Sequence, residues 1–229
     1  MTHESAVERF QQWCVKHPDR ETQIRPCEPE DIDGVEQWAP EVASIADFLW
    51  CDEESNYAGI FHTGPLAGFV FFYIHDQMPA RLAFTTADEC VVRIMEDDAA
   101  AATLVDLFDS HACMLPPKEL NPEEQSRRID IAQEILNAAN PQDDEEAHSA
   151  ALLALGLFPP SDVPEEIMQI LLRYLEKGDN IYCWQDLPEV FARNNYRGRG
   201  KEIAAYVEKQ SQPPFPRRWA EIRAILFSK

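Results

Sequence analysis

One stretch limits what this chain can become. Residues 50–76 read WCDEESNYAGIFHTGPLAGFVFFYIHD, the most apolar and aromatic run in an otherwise acidic sequence. Residues 57–63 and 68–75 are rich in β-formers and flank Gly64-Pro65-Leu66-Ala67-Gly68, which predicts a β-hairpin with a loop of about five residues. That register sets Thr63 opposite Phe69, Phe61 opposite Phe71, Gly59 opposite Tyr73 and Tyr57 opposite His75. Side chains alternate along a strand. One face therefore carries Tyr57, Phe61, Phe69, Phe71 and Tyr73, and the other Ala58, Ile60, Val70, Phe72 and Ile74. Neither face is polar, so the hairpin is expected to be covered on both sides.

The flanking segments supply cover. Residues 81–85 read as a further short strand, and Thr86-Ala87-Asp88-Glu89 is a capping box opening a helix with Cys90, Val91, Ile94 and Met95 on one stripe. Upstream, residues 5–16 space Val7, Phe10, Trp13 and Cys14 at helical intervals until His17-Pro18-Asp19 stops them. From there to about Ala46 the chain is rich in Pro and acid, and one short helix between loops is expected. Strands followed by a packing helix indicate an α+β fold, an antiparallel sheet with packed helices.

A helical piece over 99–112, with Leu104, Leu107 and Phe108, runs into Pro116-Pro117, and no strand pattern follows. We therefore expect two domains, an α+β domain over 1–115 and an all-α region over 121–229. Helices are expected to open at Asn121-Pro122-Glu123-Glu124, Asn140-Pro141, Pro164-Glu165-Glu166, Asp186-Leu187-Pro188-Glu189 and after Gly200. Paired, they start near 122, 163 and 200, a spacing of about forty that resembles HEAT-type repeats. An ordinary helical bundle fits the same pattern.

Charge narrows the partners. The 229 residues hold 41 Asp and Glu against 20 Lys and Arg, a net −21. Residues 1–150 carry 31 acidic and 9 basic side chains, whereas 151–229 carry 10 and 11. Such a field repels nucleic acid and anionic membrane and speeds encounter with a basic protein, and it also serves plain solubility. The six cysteines, at 14, 27, 51, 90, 113 and 183, form no C-x-x-C pair and read as free thiols of a reducing compartment. MTHESAVERF lacks the pattern of a secretory signal, and no run approaches eighteen apolar residues. A cytoplasmic protein without membrane partners is expected.

The ordered blocks W-x-D-x-x-S-N-Y-x-G, G-P-L-x-G and a strand ending H-D resemble the SUKH superfamily, which includes Smi/Knr-type regulators and many bacterial immunity proteins. The matching residues are Trp50, Asp52, Ser55, Asn56, Tyr57, Gly59, Gly64, Pro65, Leu66, Gly68, His75 and Asp76. The resemblance spans roughly residues 30–97. It departs at Glu54, where Asn or Asp is expected, and in the segment before Trp50, which lacks a long helix with a Leu-Pro entry. It implies a protein-binding module, foremost an immunity protein neutralising a cognate toxin, often a nuclease. A regulatory adaptor is the second implication.

Nothing assembles an active site. Asp97/Asp98 and Asp143–Glu146 read as solvated helix ends, without the sheltered carboxyl that acid–base catalysis needs. His62 and His75 fall on opposite faces about 16 Å apart, too far to share a metal. Gly-Pro-Leu-Ala-Gly joins two strands and has no lysine, so it is not a phosphate loop. The cationic run 195–201 is a possible anion site but lacks the extended basic surface of a nucleic-acid binder. We expect no catalytic residue, metal or cofactor, although a metal-dependent hydrolase using the acidic patch is a third reading. The candidate contact patch for a basic partner, a toxin domain foremost, is Trp50, Asp52, Glu53, Glu54, Asn56 and Tyr57.

Overall fold

The structure, a computed structural model, describes residues 3–20, 23–38, 40–74, 81–96, 103–110, 121–177, 181–209 and 216–228. Its contacts divide the chain into two compact units, Met1–Leu115 and Pro116–Lys229. Each is taken by itself.

The first unit is α+β. In chain order it has α1 (His3–Lys16), β1 (Arg25–Pro26), α2 (Pro29–Trp38), α3 (Pro40–Ala43), β2 (Ala46–Cys51), β3 (Tyr57–Phe61), β4 (Val70–Tyr73), β5 (Arg81–Phe84), α4 (Ala87–Glu96) and α5 (Leu104–Ser110). The five strands pair antiparallel in sequential order, with the β3–β4 hairpin in the centre. Two of these strands are unexpected. β1 has only two residues, and Ala46-Asp47-Phe48-Leu49-Trp50-Cys51 is almost wholly buried and so lacks the alternation that marks a half-exposed strand.

The hairpin register differs from the expectation by two residues. Tyr57 faces Tyr73, Ala58 faces Phe72, Gly59 faces Phe71 and Ile60 faces Val70. Closure occurs where the Gly68 N–H donates to the Phe61 carbonyl (2.8 Å) and the Phe61 N–H to the Phe69 carbonyl (3.0 Å), so the loop begins at His62. The His62 N–H donates instead to Ile45 at the head of β2. The longer loop folds on itself with Gly64 at φ 75° and Gly68 at φ 93°, positions an L side chain resists. A slip by two keeps every side chain on its face, because the strand period is two. The two apolar faces survive the change of register.

One face, with Trp50, Ala58, Val70, Phe72 and Phe84, joins a core with Phe10 of α1, Cys90, Val91 and Ile94 of α4, and Leu104 and Leu107 of α5. On the other, the Phe71 ring meets Phe48 edge-on at 5.4 Å and Phe61 at 4.7 Å. Gly59 makes that packing possible. A Cβ there would lie 2.5 Å from the Asp47 carbonyl and 2.7 Å from the Phe71 ring. Phe71 and Phe72, neighbours pointing opposite ways, are both buried. The capping box at α4 is present in altered form. Thr86 Oγ1 accepts from the Glu89 N–H, while Glu89 reaches back to Thr85.

The second unit contains α6 (Pro122–Ala138), α7 (Asp144–Leu155), α8 (Glu165–Lys177), α9 (Ile181–Arg193), a 3-10 turn at Tyr196–Gly198, α10 (Gly200–Glu208) and α11 (Pro216–Phe227), with no strand among its described residues. Asn121 caps α6 through the Glu124 N–H at 2.9 Å, as its sequence signals. α7 departs from expectation. Asn140 forms a turn with the Gln142 N–H, and Asp143 caps the helix through the Glu146 N–H. α9 starts at Ile181 and holds Pro188 in its interior. There Pro188 lacks the N–H to bond the carbonyl four residues back, which is why it reads as a helix start in sequence. α6 packs on α7 and α8 on α9, and α6 also contacts α8 while α7 contacts α9. The Tyr174 hydroxyl of α8 donates to the Leu136 carbonyl of α6, and His148 of α7 meets Asp186 of α9 at 2.9 Å.

Candidate functional site

Between β2 and β3 the chain reverses over Asp52-Glu53-Glu54-Ser55-Asn56, and one carboxylate organises the reversal. Asp52 Oδ1 accepts from the backbone N–H groups of Glu54 (3.0 Å) and Asn56 (3.1 Å), and the Asn56 side-chain amide donates to both Asp52 oxygens. Asp52 Oδ2 also accepts from the Leu104 N–H at 2.8 Å, fastening the turn to the first residue of α5. A carboxylate supplied with this many donors can be buried without an exposed face, and Asp52 is only 4 % exposed. The turn closes with Ser55 at φ 62°, a left-handed conformation that costs a non-glycine residue energy and is held by the surrounding hydrogen bonds.

Of the six residues of the candidate contact patch, Trp50, Asp52, Asn56 and Tyr57 are buried, Trp50 in β2, Tyr57 at the start of β3, and Asp52 and Asn56 in the turn. Glu53 and Glu54 remain, both exposed, together with Ser55. Of the other residues in the family-like blocks, Gly59 accommodates Phe71, Gly64 and Gly68 supply positive φ, Leu66 is buried in the loop, and Pro65 is half-buried. His75 and Asp76 lie outside the described residues.

A second cluster sits beside this turn, and no sequence motif announces it. Arg25 of β1 makes a two-pronged ion pair with Asp31 of α2, Nη1 to Oδ2 at 2.6 Å and Nη2 to Oδ1 at 2.9 Å. Asp31 also accepts from the Glu28 N–H at 2.8 Å and from the Cys51 thiol at 3.5 Å. The Arg25 bond above all holds the Asp31 carboxyl down at about 2, against an ordinary 3.8, with the Glu28 N–H adding to the effect. Tyr57 lies close enough that burial first, and then Asp31, push its phenol up. Cys27 follows β1 and donates its N–H to the Leu49 carbonyl at 3.0 Å. The neighbouring Cys51 side chain, followed by burial, holds the Cys27 thiol far above its usual range. Cys51 is twenty-six residues from Arg25 and twenty from Asp31, and the pairing of β1 with β2 brings it to them.

The cationic run near residue 197 has local employment. The Arg197 and Arg199 guanidinium groups donate to the carbonyls of Leu226 and Ser228 at the end of α11, and Arg199 also pairs with Glu202. Cations at a helix C-terminus complement its dipole. Among the described residues, no group of three or more His, Cys, Asp and Glu side chains is placed to hold a metal ion, and no helix is long and apolar enough to cross a membrane. No family model, curated protein or solved structure matches the chain.

Proposed function

We propose that this chain is a non-catalytic, cytoplasmic protein-binding module, a SUKH-like immunity protein that binds and neutralises a basic toxin domain. The observation that carries the reading is the pair Glu53 and Glu54, exposed beside Ser55 at the tip of a turn whose two ends, Asp52 and Asn56, are buried. Adjacent carboxylates repel each other, and a fixed backbone prevents them from moving apart. A cationic partner relieves that repulsion and is steered by the acidic surroundings. A nuclease toxin fits this chemistry, because it must present positive charge to its own substrate.

The second reading is a Smi/Knr-type adaptor that docks its partner on the helical unit. The like-on-like contacts of α6 with α8 and α7 with α9 favour it, since stacked helix pairs of the HEAT type create extended binding surfaces. Affinity capture from the native host followed by co-expression separates the two. The first reading expects a basic protein that is toxic alone and harmless when this chain accompanies it. A captured partner without toxicity, held by the helical unit, would replace it with the second. Metal-dependent hydrolysis by the purified chain would contradict both.

A further inference from the structure

The helical unit holds a cavity of about 150 Å³ between the C-terminal end of α6 and α8. Three of the residues that line it, Leu136, Ile170 and Tyr174, are buried and form an apolar floor. The Tyr174 hydroxyl is already engaged by the Leu136 carbonyl. Asn137 of α6 and Arg173 of α8 line the same cavity and are exposed. Neither side chain makes an ion pair or hydrogen bond among the described residues. Elsewhere Arg9, Arg25, Arg93, Arg128, Arg193 and Arg199 each meet a carboxylate. Glu176 lies three residues along α8 from Arg173, at a spacing that allows pairing, and does not take it. The Arg173 guanidinium is therefore free for a carboxylate from outside the chain. Size limits what brings it. A cavity of about 150 Å³ holds a group the size of a benzene ring, well below the roughly 300–1,000 Å³ of sites that enclose whole drug-sized ligands.

We propose that this cavity binds the C-terminal residue of a partner polypeptide ending in an apolar side chain of leucine size. The side chain fills the space over Leu136, Ile170 and the Tyr174 ring. Its terminal carboxylate meets the Arg173 guanidinium, whose planar fork of N–H donors matches a carboxylate. Asn137 carries a carboxamide that both donates and accepts, and it takes the last backbone amide of the peptide. Both halves of the ligand are required. An aspartate within a chain would bring the charge and leave the apolar floor uncovered. An internal leucine would cover the floor and leave Arg173 without a partner. The site is independent of the toxin reading, because it lies in the helical unit and uses neither Glu53 nor Glu54.

The test uses the full chain, labelled at its isoleucine methyl groups and followed by nuclear magnetic resonance. Three probes are titrated: acetyl-glycyl-glycyl-leucine with a free carboxylate, the same peptide as its C-terminal amide, and isocaproate. The acid peptide should shift the Ile170 methyl signal at millimolar concentration and bind several-fold more tightly than the amide. Isocaproate keeps the carboxylate and the branched chain without the backbone amide, and should bind several-fold more weakly than the acid peptide. Arg173→Gln should erase the preference for acid over amide and leave the affinity for the amide unchanged. Because Arg173 is exposed, the wild-type preference should shrink at high salt. An Ile170 signal that does not move, or equal affinity for acid and amide in the wild type, would overturn the proposal. Isocaproate binding as tightly as the peptide would make the cavity a site for small free acids and overturn it as well. The comparison of acid with amide is made on the wild-type chain, so misfolding of the variant cannot obscure it.

Discussion

Phe71 in the first unit and Tyr174 in the second are both buried aromatic side chains, yet they hold different kinds of structure. Phe71 lies over a glycine, between Phe48 and Phe61, in a strand with a neighbour on each edge and apolar side chains on both faces. Its contacts join segments that are distant in sequence, and none of the strands it joins would be stable alone. Tyr174 ties α8 to α6 through one hydroxyl, in a unit where α6 packs on α7 and α8, and α9 on α7, α8 and α10. Charge follows the same division. The unit over 1–115 carries 22 acidic and 6 basic residues, and the unit over 116–229 carries 19 and 14. A core concentrated in one hairpin leaves its connecting turns free to carry charge. A core spread over helix pairs uses its charged side chains to join them, as Arg128 does. That buried residue pairs with Glu124 at 2.9 Å and donates to the Leu157 carbonyl at 3.1 Å.

The contrast is easiest to break at Phe71. Phe71→Ala should cost about 3–5 kcal/mol, the range for a core aromatic. Hydrogen exchange read by mass spectrometry should show lost protection over 46–73 and little change over 122–177. Equal loss in both regions would show that the units unfold as one body. Asp52→Ala should follow, at roughly 2–3 kcal/mol, because it strands the N–H groups of Asn56 and Leu104 inside the fold. Chemical denaturation checks the size, and a change below about 0.5 kcal/mol would mean the turn does not depend on its carboxylate. In the helical unit, Tyr174→Phe keeps the ring and removes the bond to Leu136, for about 1 kcal/mol. Its effect on hydrogen exchange should stay within α6 and α8.

Acid should distinguish the units further. Asp31 has its carboxyl held at about 2 in the fold, below its ordinary 3.8. A depressed carboxyl contributes stability that is complete above the ordinary value and disappears as pH falls through the folded one. The anchor of β1 and α2 should therefore weaken between about pH 4 and pH 2. Arg25 is more than a third exposed, so solvent screens the pair and the step should be small. Asp31→Asn should remove it from the pH profile of thermal unfolding, and a profile unchanged by that substitution would discard the anchor.

How much of this was legible depends on whether a residue's partners are near it in sequence. The hairpin, the Asn121 cap and the capping role of Thr86 are local patterns, and they stand in the structure. The hairpin register was missed because Thr63 and Phe69 make a plausible pair, whereas the His62 N–H is claimed by Ile45 from the neighbouring strand. β2 was missed because burial on both faces removes its periodicity. At the candidate site, three acidic residues in a row look alike on paper. Only the fold separates Asp52, filled by donors from Asn56 and Leu104, from Glu53 and Glu54 beside it. The cluster of Arg25, Asp31 and Cys51 was illegible for the same reason, since a two-residue strand sets Arg25 opposite Cys51.

The account rests most on the division of labour within that acidic run, and the rate of association with the captured basic partner tests it directly. Glu53→Gln combined with Glu54→Gln keeps size and removes charge, and should leave folding stability within about 0.5 kcal/mol. Rim charges act mainly on encounter, so the double variant should associate several-fold more slowly at low salt. At about 1 M salt, where screening shortens to about 3 Å, the two proteins should associate at nearly the same rate. A double variant that associates as fast as the wild type at low salt would contradict the account and move the binding surface to the helical unit.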